Sequence, residues 1–215
     1  MSNAPLSNAP MANTPMANAP APPGYYNSLD GSLVQAWALL TRGVADRRAP
    51  FHTPTIATVD AQGAPHVRTI VLRACDPASR LLRFHTDVRG EKVVHIAGNP
   101  RVAMHFYDVG AKLQLRVSGC AEVLSSGPVT DEAWLRSQPQ SRECYAAVKA
   151  PGAVIATPEP VSVANALKPA EAQKNFCAVL VSAARIEWLY LAAEGHRRAV
   201  WSWEDETWHG AWLQP

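Results

Sequence analysis

The sequence predicts a mainly β protein of the α+β class, an antiparallel barrel with a few short peripheral helices. Two observations lead there. Short runs rich in β-branched residues recur from Thr53 onward, separated by turn-forming clusters such as Asp60-Ala61-Gln62-Gly63 and Asp76-Pro77-Ala78-Ser79. Long helices alternating with strands, the mark of a doubly wound parallel sheet, are missing.

Taken in order, residues 1–24 repeat asparagine at Asn3, Asn8, Asn13 and Asn18 and proline at Pro5, Pro10, Pro15 and Pro20. Such a tract has too little bulky apolar surface to offset its ordering entropy, so a disordered tail is expected, followed by one domain over 25–215. Ser28 or Asp30 can cap a helix whose stripe is Leu33, Val34, Trp37, Leu40 and Val44, ended by Pro50. Strands follow at Thr55 to Val59, His66 to Arg73 and Leu81 to Thr86. A short helix over Gly90 to Ala97 is stopped by Gly98-Asn99-Pro100.

Further strands are expected at Val102 to Tyr107 and Leu113 to Leu124. Helical segments are expected at Pro128 to Gln138, Arg142 to Val148 and Pro169 to Asn175, with irregular chain after Pro151. The last strands are Cys177 to Ala183, Ile186 to Leu191, Ala199 to Trp203 and Thr207 to Trp212. Trp201, Trp203, Trp208 and Trp212 enrich this end in aromatics suited to packing a hairpin or a subunit seam.

Composition narrows the function. With 20 Lys and Arg against 18 Asp and Glu, a net charge of +2 offers no overall basic field for nucleic acid or anionic membrane. No apolar run reaches the roughly 18 residues needed to span a bilayer, and no charged start precedes an apolar leader, so a cytoplasmic protein is expected. Cys75, Cys120, Cys144 and Cys177 are widely spaced, which predicts reduced thiols rather than a disulfide framework or zinc cluster. The seven histidines show no metal-ligand spacing. Dinucleotide, P-loop, zinc-hydrolase and nucleophile-elbow motifs do not occur.

Two segments can carry chemistry. In His66 to Arg73, arginines bracket an apolar run, and a guanidinium at a strand end can grip a phosphate with its planar fork. In Phe84 to Lys92 a strand gives way to a helix start. Its free N–H groups, a threonine hydroxyl and a lysine would together hold an anion, and Gly90 would let backbone approach the ligand.

Together the runs R-T-I-V-L-R, F-H-T-D followed by Lys92, N-P-R-V-A-M-H-F and Q-L-R-V-S-G-C-A-E resemble the pyridoxamine 5′-phosphate oxidase family, in order and spacing, from about Pro50 to Leu124. A weaker match resumes at Ile186-Glu187-Trp188 and runs through His196-Arg197-Arg198. The resemblance implies a split β-barrel that binds flavin mononucleotide (FMN) between two subunits of a homodimer. It implies a flavin-binding strand at Arg68, Thr69, Ile70, Val71, Leu72 and Arg73, further flavin contacts at His85 and Thr86, and a phosphate-binding lysine at Lys92. Gln114 falls near the flavin ring, and Arg198 where an arginine closes over the cofactor.

Departures from the family pattern accompany this. Gly90-Glu91 replaces a serine-arginine pair, so one phosphate ligand is lost unless Arg89 substitutes. Leu189 stands for a flavin-contacting tryptophan, and Pro151-Gly152 for a glutamine-serine pair. The positions that would bind substrate phosphate are Trp134, Gln138 and Arg142, and the C-terminal R-x-H motif is not reproduced. The expected function is therefore an FMN-dependent oxidoreductase taking hydride from a small-molecule donor. The alternatives are a true pyridoxamine or pyridoxine 5′-phosphate oxidase, a non-catalytic flavin-binding module, or the same barrel holding haem or a deazaflavin.

Overall fold

The structure is a computed structural model that describes residues 23–158, 166–192 and 195–215. The repetitive segment expected to be a tail lies, but for its last two residues, outside the described residues. So does part of the irregular stretch after Pro151. Among the described residues, no helix is long and apolar enough to cross a membrane.

A short 3-10 turn over Gly24–Asn27 leads into α1, Leu29–Ala45. Ser28 caps it by accepting from the Gly31 N–H at 3.1 Å. The buried face of α1 is Ser32, Ala36, Trp37, Leu40 and Gly43. Val34, expected on that stripe, is 70% exposed. The contact at Gly43 explains the rotation: a Cβ there would lie 2.7 Å from the Phe51 carbonyl oxygen, so the helix meets the following chain backbone to backbone.

The strands are β1 (Thr55–Val59), β2 (Pro65–Thr69), β3 (Leu72–Asp76), β4 (Leu81–Asp87), β5 (Arg101–Asp108), β6 (Leu113–Leu124), β7 (Phe176–Tyr190), β8 (Arg197–Glu204) and β9 (Thr207–Leu213). All their pairings are antiparallel. The main path runs β2-β1-β5-β6-β7-β4-β3, with β8 and β9 extending from β7. The helices are α2 (Glu91–Gly98), α3 (Pro128–Arg136), α4 (Pro139–Glu143) and α5 (Pro169–Asn175). The last three each start with proline, whose fixed φ and missing N–H suit a first helical turn.

Two expectations about strands change. His66 to Arg73 is not one strand: it breaks at Ile70-Val71 into β2 and β3, which sit at opposite ends of the seven-strand path. Two residues can join opposite ends only if the sheet curls round on itself. Because β2 and β3 share no ladder, the barrel is split at that seam. Conversely, Cys177 to Ala183 and Ile186 to Leu191 form the single long strand β7. It accommodates a register shift opposite Ser118/Gly119 of β6. The helix expected over Arg142 to Val148 is instead α4, which ends at Glu143.

The barrel core is one cluster that includes Ile56, Leu72, Phe84, Met104, Phe106, Leu115, Val117, Ile186 and Trp188. A satellite cluster of Ala133, Trp134, Ala146, Ala172 and Phe176 seats α3 and α5 against β7. Trp201 is buried, while Trp208 packs edge-on against Trp203 at 5.4 Å and near Trp37 at 6.3 Å, so these aromatics close the final hairpin over α1. The four cysteines are free, with Cys177 buried.

Candidate functional site

Alternation along the strands sorts the expected site residues onto two faces of the sheet. Arg68 pairs with Ile56, which pairs in turn with Met104, Val117 and Ile186, so Arg68 shares the core-facing row. Thr86 pairs with Cys177, one step along from the buried Phe84–Val179 pair, and is itself 8% exposed. Lys92, in the first turn of α2, reaches back so that its Nζ donates to Thr86 Oγ1 at 2.9 Å.

Arg68, Thr86 and Lys92 therefore converge where β4 gives way to α2. Burial lowers the pKa of Lys92 from its ordinary value, and the positive charge of Arg68 lowers it further. Burial also lowers that of Arg68, with Glu91 acting the other way. Among the described residues, no carboxylate comes within 4.0 Å of either cation. Two partly buried cations held side by side without a close counter-ion form an anion site.

At Gly90 the cradle presents bare backbone. Gly90 precedes α2 with no side-chain cap, and a Cβ there would lie 3.3 Å from Lys92 Nζ and 3.2 Å from the Asp87 carbonyl oxygen. Bare backbone at Gly90 keeps this space and the uncapped N–H groups of the first turn open to a ligand. Glu91 turns toward the Pro151-Gly152 loop: a Cβ on Gly152 would lie 3.7 Å from its Oε1. Arg89, the expected substitute ligand, is committed elsewhere. It grips Asp87 with Nε at 2.9 Å and Nη2 at 2.7 Å, and donates to the Ala147 and Val148 carbonyls.

Thr69 ends β2 and is exposed. Ile70 is buried in the seam, its N–H bonded to the Pro54 carbonyl at 2.9 Å, and Val71 completes the link to Leu72, the fully buried start of β3. Arg73 and His85 turn away from this cradle into a cavity of about 270 Å³, lined also by Arg47, Arg83, Arg136 and Gln138. Among the described residues no carboxylate lines this cavity, although Arg136 is paired with Glu132 at 3.1 Å. Arg83 Nε and His85 Nε2 are buried there with no hydrogen-bond partner among the described residues. Burial, followed by the charges of Arg83 and Arg73, pushes the His85 imidazole down to about 3, so it is neutral across the physiological range.

Of the three residues expected to bind substrate, Gln138 lines this cavity. Trp134 is buried in the satellite cluster. Arg142 lies over the Trp134 ring at 5.3 Å and donates to the Leu135 carbonyl at 2.6 Å. Arg83 and Arg47 were not singled out from sequence. Arg83 stands two residues before His85 on the same strand, and that alternation was the available signal.

Gln114 and Arg198 are not brought to the cradle within one chain. Gln114, Leu189 and Arg198 form one cross-strand row, adjoining the row His105, Arg116 and Glu187. Both rows lie on the face opposite Arg68. Here Glu187, 5% exposed, accepts from Arg198 Nε at 2.9 Å and Nη2 at 2.6 Å, from Arg116, and from Arg185 at 3.4 Å. Burial pushes its carboxyl up, but the hydrogen bonds from Arg116 and Arg198 outweigh this and hold it below the usual carboxylate range. His105 Nε2 and Gln114 Oε1 are 3.1 Å apart on the same face.

The described residues form an antiparallel barrel split at one seam, with a cationic cradle beside it. Residues 34–125 match the family model described as "Pyridoxamine 5'-phosphate oxidase, FMN-binding domain". Similar curated proteins are the pyridoxine/pyridoxamine 5'-phosphate oxidases of Pseudomonas entomophila and Hahella chejuensis. The first is 40% identical over 34% of this chain and 33% of its own length, the second 36% identical over 40% of each. The chain thus aligns with only about a third to two-fifths of those relatives.

Over nearly the whole chain the fold matches a pyridoxamine 5'-phosphate oxidase-related, FMN-binding protein from Nostoc punctiforme. Its TM-score is 0.66 at 22% identity, covering 93% of this chain and all of that one. It also matches PhzG from Burkholderia lata, solved with tetrahydrophenazine-1-carboxylic acid, with a TM-score of 0.69 at 22% identity, covering 89% and 96%.

Proposed function

We propose that this protein is a homodimeric FMN-dependent oxidoreductase that accepts hydride from a small anionic donor. The observation that carries the reading is the pairing of Arg68 and Lys92 around Thr86 without a close counter-ion. In this reading the two cations and the Thr86 hydroxyl hold the cofactor's phosphate, and the first-turn N–H groups of α2 add to its field. Residues 69–72, at the seam, orient the ring through backbone. Gln114 and Arg198, on the far face of their own chain, act on the flavin of a second chain, which supports a dimer with the cofactor between subunits. FMN supplies the hydride-accepting ring, and the protein supplies position and electrostatics.

The basic cavity beside Arg73 is the substrate side. Arg73, Arg83 and Arg47 provide fixed positive charge, while neutral His85 and Gln138 can exchange hydrogen bonds with a ligand. Pyridoxamine 5′-phosphate and aromatic carboxylic acids of the kind PhzG holds both carry the charge this cavity suits. The uncharged Gln138 at a position expected to bind substrate phosphate, and the unreproduced C-terminal R-x-H motif, weigh against the vitamin substrate.

The test loads purified protein with FMN and measures stoichiometry and mass in solution. The flavin's visible absorbance is then followed anaerobically with pyridoxamine 5′-phosphate, aromatic carboxylates and reduced nicotinamides. Bleaching by one donor class identifies the reductant. A loaded dimer that no donor bleaches is a flavin-binding module, and a preparation that takes up no FMN overturns the proposal.

A further inference from the structure

We infer that Thr58 and His95 are positioning residues that aim Arg68 at the flavin phosphate, through a directed hydrogen-bond chain running from β2 across β1 to α2. The inference rests on the proposed FMN site.

Thr58 is a polar residue at a core-facing position of β1, 1% exposed, two residues along from the fully buried Ile56. Its hydroxyl has two close partners: Arg68 Nη1, and His95 Nδ1 at 3.0 Å. A guanidinium only donates, so the hydroxyl accepts from Arg68. Among the described residues His95 Nδ1 is the other partner of this buried hydroxyl, so giving it the hydroxyl's one proton leaves no polar hydrogen unpaired, makes Nδ1 the unprotonated ring nitrogen and places the imidazole's proton on Nε2. The chain thus reads Arg68 N–H to Thr58 O–H to His95 Nδ1, each group's capacity used in one direction.

The ends of the chain are separately anchored. Arg68 Nη1 also donates to the His66 carbonyl at 3.0 Å. The His66 and His95 rings lie 4.6 Å apart, and His66 Nε2 is 2.9 Å from Asp60 Oδ2. On α2, His95 stands three residues after Lys92, so both project from neighbouring positions on one helix face. The two cations come from elements distant in the sequence, and the Thr58 hydroxyl ties Arg68 to His95 on the helix that carries Lys92. Valine matches the shape of threonine, so burial alone does not require a hydroxyl here, whereas aiming a guanidinium does.

The test compares wild type, Thr58→Val and Thr58→Ser by titrating each with FMN and with riboflavin, following the quenching of flavin fluorescence. Riboflavin has the ring and lacks the phosphate, so it reports folding and ring binding independently of Arg68. The expected result is an FMN affinity at least tenfold weaker in Thr58→Val with riboflavin affinity unchanged, restored to within about twofold by Thr58→Ser. His95→Phe should reproduce the Thr58→Val pattern more weakly, because it removes the acceptor and leaves the hydroxyl bonded to Arg68. Equal loss of both flavins in Thr58→Val would assign the hydroxyl to fold stability, and an unchanged ratio of the two affinities would overturn the inference. If wild type itself does not prefer FMN to riboflavin, the cofactor reading falls together with this one.

Discussion

Lys92 Nζ sits 2.9 Å from Thr86 Oγ1, although one residue lies in the first turn of a helix and the other near the end of a strand. The contact turns the β4–α2 junction into a closed cationic corner, since Arg68 approaches the same ammonium from β2. What that corner binds can be tested by removing its charge.

Replacing Lys92 with methionine keeps the aliphatic stem and deletes the ammonium. A charge-assisted hydrogen bond contributes about 1.5–3 kcal/mol, so FMN affinity should fall about 10- to 100-fold. Riboflavin should bind as before. Parallel fluorescence titrations read both, and an equal loss for the two flavins would place the phosphate elsewhere.

Glu187 collects Arg116, Arg185 and Arg198 on the opposite face. Its depressed pKa means that the ionised carboxylate stabilises the fold above the ordinary value of 4.5, and that this is lost as pH falls through the lower folded value. Glu187→Gln should cost about 1–3 kcal/mol at neutral pH, discounted for the part-exposed arginines, and should flatten the acid limb. Urea melts between pH 3 and 7 measure both effects.

His85 should destabilise the fold in acid by a different route. Its folded pKa, about 3, lies below the ordinary 6.5, so between these values the unfolded chain binds a proton that the folded one refuses. Stability is therefore lost as pH falls below about 6.5, with a slope from this residue of at most about 1.4 kcal/mol per pH unit. In His85→Phe that slope should disappear, and a slope unchanged by the substitution would refute the assignment.

The four thiols should divide into two classes. Burial pushes Cys75 up to about 11 and Cys177 up to about 12, while Cys120 and Cys144 are exposed. Only thiolates alkylate, so at pH 8 iodoacetamide should label Cys120 and Cys144 and spare the other two until the chain unfolds. Peptide mass mapping of native and denatured samples reads the pattern.

Gly119 faces β7 at close quarters beside a register shift in the ladder. A Cβ there would lie 1.9 Å from the Ser182 carbonyl oxygen, a backbone atom that cannot swing aside. Gly119→Ala should lower stability by about 1–3 kcal/mol or more, read as a drop in the melting temperature.

Much of the architecture was legible in residue order. Asp60 to Gly63 and Asp76 to Ser79 do form hairpin turns, Gly63 taking a φ of +84°. Ser28 does cap α1, and α2 does stop before Pro100. Arg68, Thr86 and Lys92 were identified together because a strand end, a hydroxyl and a helix start are local signals. Arg73 and His85 were grouped with them from the same run of sequence, yet they face another cavity, with Arg83 and Arg47.

The amino-acid order by itself determined the hairpins, the helix caps and the chemical character of the cradle, because turn chemistry and side-chain period act over a few residues. Tertiary structure alone decided that His66 to Arg73 breaks across the seam, that β7 runs unbroken, and that Gln114 and Arg198 face away from Lys92. Those outcomes depend on how a sheet curls until its two end strands meet. That closure is a balance of contacts between residues far apart in the chain, and no short window of sequence contains it.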